Sequence, residues 1–121
     1  MSFNNVWFYP TPKSYYLIKF FIIWINMIIS QLSIAPIGKG TSLSKYVKIV
    51  IDSLKKNKVN FKTNDMATVI ETKDLKTLFK IVEDAHNAVL NKGAKRVITE
   101  LKIDDRKDKK VKIGSKTKAL N

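Results

Sequence analysis

Two short stretches and one lone side chain in this 121-residue chain have the residue types from which a site could be built. His86 is the single histidine, and there is no cysteine. That rules out disulfides, thiolate metal sites, Cys nucleophiles and a histidine cluster for zinc. No serine or carboxylate is spaced to make His86 a general base, and it sits on or beside the apolar stripe of a helix. It reads as a core or boundary histidine. Asp104, Asp105 and Asp108 suggest hard-metal ligands, but Arg106, Lys107 and Lys109 are interleaved with them and no loop glycine accompanies them. Ion pairing within the knot and termination of a strand is the better account. Gly38-Lys39-Gly40-Thr41-Ser42 superficially resembles a phosphate cradle without having the GxxxxGK[ST] spacing. A turn followed by N-cap hydroxyls is the plainer reading, and anion contact through helix-terminal N–H groups is the alternative. No catalytic residue and no metal ligand can be named, so an enzyme is the least supported class.

Charge points weakly to a partner. The net charge is +13, yet among 23 basic residues only Arg96 and Arg106 are arginines. Readers of nucleic acid lean on arginine for bidentate contacts, and the strands that begin at Met27 and Arg96 carry no aromatic platform for stacking bases. Nucleic acid is therefore not the expected partner.

The elements that must position any site begin at Met27. Ile28, Ser30, Leu32 and Ile34 alternate with Ile29, Gln31, Ser33 and Ala35, which predicts a strand closed by Pro36, Gly38 and Gly40. Thr41-Ser42 is expected to cap a helix whose apolar side is Leu43, Tyr46, Val47, Val50, Ile51 and Leu54, ending near Asn57. A second strand over Val59–Thr63 turns at Asn64-Asp65 into a third, Met66–Thr72. Asp74 is an N-cap for a second helix with a buried stripe of Leu75, Leu78, Phe79, Val82, Ala85, His86, Val89 and Leu90, closed at Lys92-Gly93. The fourth strand, from Val97 to Ile103, puts Val97, Thr99, Leu101 and Ile103 on one face and Ile98, Glu100 and Lys102 on the other. Two βαβ units joined by a hairpin give an α+β, ferredoxin-like βαββαβ sandwich: a four-stranded antiparallel sheet with both helices on one face. The other face keeps Ile29, Ile98 and Ile70 among polar residues, and a half-apolar open face calls for a second subunit or a ligand.

Residues 1–26 differ from the rest: aromatic, apolar, and charged only at Lys13 and Lys19. An upstream extension before Met27, a membrane anchor or interfacial segment, and a signal peptide are the three readings. Lys19 and the short run Phe20–Ile29 count against an anchor, and no small-x-small cleavage site follows. The domain is expected over 27–109, with 110–121 a basic C-terminal tail. A cytoplasmic protein is expected, touching membrane only if 1–26 is an anchor.

From Met27 onward the chain resembles the small thiamine-binding protein family of the YkoF-like superfamily. The resemblance is carried by Ser33 to Gly40 (SIAPIGKG) with Ser42, by Ser44-Lys45-Tyr46-Val47, by Met66 to Glu71 (MATVIE), and above all by Arg96 to Lys109 (RVITELKIDDRKDK). It implies a ferredoxin-like protomer, sheet-to-sheet homodimers or homotetramers, and non-catalytic binding of thiamine or its hydroxymethylpyrimidine part as ligand, with no cofactor. Two positions depart from the family: Ala67 stands where glycine is common, and Glu100 where a small hydroxyl residue is usual. For a ligand of that kind, strand parity assigns Gln31, Ser33 and Thr68 to hydrogen-bond an aminopyrimidine. Glu71 and Glu100 would supply charge for a thiazolium, with pairing to Lys102 of a neighbouring subunit the alternative for Glu100, and Ile29 and Ile98 would form an apolar wall. An oligomeric interaction module without a thiamine ligand is the alternative.

Overall fold

The computed structural model describes residues 27–121, so the readings of residues 1–26 lie outside the described residues. Strand β1 runs Ile28–Pro36, helix α1 Ser44–Lys56, β2 Asn60–Thr63, β3 Thr68–Thr72, α2 Leu75–Asn91, β4 Val97–Asp104 and the short α3 Ser115–Lys118. The sheet order is β2-β3-β1-β4, and every neighbouring pair is antiparallel. This is the expected βαββαβ sandwich, with its core between the sheet and the two long helices.

The pleat decides what is buried. Ile28 and Leu32 of β1 and Ile70 of β3 point to the helices, where they meet Tyr46, Val50 and Leu54 of α1 and Leu78, Ile81, Ala85 and Val89 of α2. Ile70 is fully buried there rather than on the open face. A strand's period of two allows no other outcome once Thr68 and Thr72, its same-face neighbours, are buried as well. The hydroxyls of Ser30 and Thr72 lie in this core without a hydrogen-bond partner.

Two helix readings need correction. The hydroxyls of Thr41 and Ser42 do not cap α1, which starts at Ser44 behind Leu43 with no side-chain cap. Gly38 and Gly40 both have positive φ, so the loop turns twice before the helix can begin. In α2 the buried stripe is Leu78, Ile81, Ala85 and Val89, whereas Phe79 is 51% exposed. The apolar surface of α2 is wider than one stripe, and packing on the sheet selects the half that contains Ile81.

Other local expectations correspond to what forms. Asp74 Oδ1 accepts from the Thr77 N–H at 2.7 Å, and α2 closes with Gly93 at positive φ. Asn64 Oδ1 accepts from the N–H groups of Met66 and Ala67 at 3.0 and 3.1 Å, which shapes the β2–β3 turn. Ala67 does not adopt positive φ, so this turn makes no demand for glycine there. No helix among the described residues is long and apolar enough to cross a membrane.

Candidate functional site

The register arranges the open face of the sheet in rows. In the first, Ile29 stands between Glu71 on β3 and Asp104 on β4, with Asn60 of β2 beyond Glu71. The second holds Lys62, Val69, Gln31 and Lys102. Past Leu32 the strand β1 has lost β3 as a neighbour and pairs with β4 alone, so the third row is Ser33 with Glu100 and the fourth Ala35 with Ile98. Ile98 is 45% exposed.

Five of the six residues expected to bind a ligand therefore share this face: Gln31, Ser33, Glu71, Ile98 and Glu100. Thr68 does not. Its side chain is on the helix side, 6% exposed, and its hydroxyl shares a 3.0 Å hydrogen bond with that of Thr63. Residues three apart on a strand point to opposite faces, so Thr68 and Glu71 cannot line one surface. Thr68 and Ser33 do both border a cavity of about 110 Å³ at the hairpin end of the sheet, beside Val47 and Met66.

The first row is not bare. Residues beyond Lys110 fold back across it, with Val111 buried. The Ile113 N–H donates to Glu71 Oε1 at 2.9 Å, and Asn60 Nδ2 donates to Glu71 Oε2 at 3.4 Å. Lys116 Nζ donates to Asp104 Oδ2 at 2.7 Å, and this bond holds the Asp104 carboxyl below the usual carboxylate range. A cavity of about 220 Å³ remains between this strap and the sheet, walled by Ile29, Val69, Val111 and Ile113. The strap's part in the site escaped the sequence reading; its one local signal is the alternation Val111-Lys112-Ile113 ahead of Gly114, hidden in a lysine-rich run.

The charged knot after β4 resolves into ion pairs. Arg106 grips Asp108 through Nε and Nη2 at 2.7 and 2.5 Å, which lowers the Asp108 carboxyl to about 2. Lys107 pairs with Asp105 at 3.0 Å. His86 Nδ1 shares a 2.6 Å hydrogen bond with Thr99 Oγ1. That bond ties α2 to the helix-facing side of β4, away from the open face.

What this arrangement offers is a polar lane (Gln31, Ser33, Glu100, Lys102) with apolar residues at either end, and carboxylates on both sides of Ile29. Chemically the lane presents hydrogen-bond donors and acceptors beside an apolar side chain, and the carboxylates at the Glu71–Asp104 end are engaged by the strap.

Comparison with known proteins agrees in fold and in family. The family model described as "Thiamine-binding protein" matches residues 30–121. A UPF0045 protein of Methanocaldococcus jannaschii is 44% identical over 99 residues, covering 82% of this chain and 97% of its own. One from Methanothermobacter thermautotrophicus is 46% identical over 83 residues, covering 68% and 84%. The crystal structure of a hypothetical protein of M. jannaschii superposes with a TM-score of 0.72 at 45% identity, over 78% of this chain and 96% of that one. A candidate thiamine biosynthesis/salvage protein of Thermotoga maritima superposes with a TM-score of 0.67 over 78% of this chain and 99% of that one. At 15% identity its likeness is one of fold.

Proposed function

Because this chain belongs to the thiamine-binding protein family, we propose that it binds thiamine or its hydroxymethylpyrimidine part, without catalysis, on the open face of a sheet-packed homo-oligomer. The observation that carries this reading is the uncovered lane on that face. There Gln31 and the Ser33–Glu100 pair stand in adjacent rows, with Ile98 exposed in the row beyond. An aminopyrimidine needs a donor, an acceptor and an apolar surface for its ring; Gln31 and Ser33 offer both hydrogen-bonding roles, Glu100 accepts from an amino group, and Ile98 gives the surface. The cationic thiazolium is favoured by carboxylates farther along the face. A second copy laid over Ile98 and Ala35 would cover the apolar end and close the lane against water.

Calorimetric titration of the full chain with thiamine and with hydroxymethylpyrimidine, alongside its mass in solution, tests this. Saturable binding by an oligomer is expected, and Glu100→Ala should weaken it with the oligomer intact. A well-folded oligomer that takes up neither compound would leave the open face as an assembly surface alone.

A further inference from the structure

Residues 111–118 lie across one end of the open face and grip it in three ways. Val111 is buried and shares a cavity of about 220 Å³ with Ile29 and Val69. The Ile113 N–H donates to Glu71 at 2.9 Å, and Lys116 Nζ donates to Asp104 at 2.7 Å. Glu71 and Asp104 flank Ile29 in one row, so both carboxylates of that row are engaged by one segment. What the segment places there is an ammonium over a carboxylate and apolar side chains over Ile29 and Val69. A cationic heteroaromatic ring would present the same chemistry. The grip is also light: in the Lys116–Asp104 pair the side chains are 79% and 45% exposed, and ion pairs in solvent hold weakly.

We propose that the 111–118 segment is a built-in competitor, occupying the end of the open face that the thiazolium ring of thiamine takes, and that thiamine binding lifts it off. The proposal rests on the reading of the open face as the thiamine site. From Ile29 to Ser33 the strand advances about 13 Å, enough for a two-ring ligand to lie along it. The pyrimidine then sits at Gln31, Ser33 and Glu100 and the charged ring at Asp104 and Glu71. The neutral hydroxymethylpyrimidine needs only the first end and leaves the strap in place. Apparent affinity for thiamine is thus reduced by the fraction of molecules whose strap is closed.

The test uses full-length protein and its Lys116→Ala variant, with calorimetry for both compounds and amide hydrogen exchange at Ile113. Lys116→Ala is expected to bind thiamine roughly two- to fivefold tighter and hydroxymethylpyrimidine as before. Thiamine, and not hydroxymethylpyrimidine, should speed exchange of the Ile113 amide. Thiamine binding that leaves this amide protected, or that is unchanged or weaker in Lys116→Ala, overturns the competition alone. Binding of hydroxymethylpyrimidine without any binding of thiamine overturns the competition and leaves the binding reading standing, whereas a folded protein that binds neither compound overturns the binding reading and the competition with it.

Discussion

Asp74 is a residue whose part in the fold follows from a single hydrogen bond. Its carboxylate accepts the Thr77 N–H at the start of α2, and that contact lowers its pKa below 3.8, helped by Lys73 and Lys76. A carboxyl with a lowered folded pKa stabilises the protein fully above its unfolded value, and that contribution is lost as pH falls through the folded one. Melting temperature should therefore drop on acidification below about pH 4. Asp74→Asn, which keeps an accepting oxygen but cannot ionise, should remove that part of the drop, and Asp74→Ala should cost about 1 kcal/mol at neutral pH. Thermal melts of the three proteins across pH check all three outcomes. This cap was legible because an acidic residue just ahead of an apolar 3.6-residue period has one obvious use. Thr68 was not: Thr and Ile alternate with Val and Glu in β3, so each face is half polar and composition does not choose between them. The choice is made by β1 and the helices, which bury Thr68, Ile70 and Thr72 together.

At the scale of elements, α2 carries two adjacent apolar strips. Leu78, Ile81, Ala85 and Val89 enter the core, while Leu75 and Phe79 stay 40% and 51% exposed. The helical period is plain in the sequence, but hydrophobicity alone cannot set the rotation of the helix by the roughly 90° that separates the strips. Leu78→Ala should cost about 2–5 kcal/mol, whereas Phe79→Ser should stay within about 0.5 kcal/mol of the parent. Urea unfolding of the two variants discriminates the observed rotation from one that buries Phe79. The strap illustrates the opposite difficulty. Its Lys110, Lys112, Lys116 and Lys118 mask Val111 and Ile113, whose burial depends on a sheet face supplied by distant strands.

For the molecule as a whole, the helices close one side of the sheet and the strap closes one end of the other, so the apolar surface left on the paired β1–β4 part of the open face is Ile98 beside Ala35. If assembly uses this surface, Ile98→Lys should reduce the mass in solution without altering the far-ultraviolet circular dichroism; light scattering measures the first and the spectrum controls for folding. The alternation in β1 and β4 makes this face legible in the sequence, because a one-residue slip would bury Gln31 and Ser33 in β1, or Glu100 and Lys102 in β4. The strand order has a consequence of another kind. β1, the first described strand, needs β4, the last, along its whole length, with Ile29 against Asp104 and Pro36 against Val97. On the ribosome, at about 5–20 residues per second, β1 must wait several seconds for that partner. Its apolar residues are exposed to the cell during the interval. The sheet cannot form piecemeal as it emerges, and the protein's yield in a cell depends on how well β1 is shielded until β4 has been made.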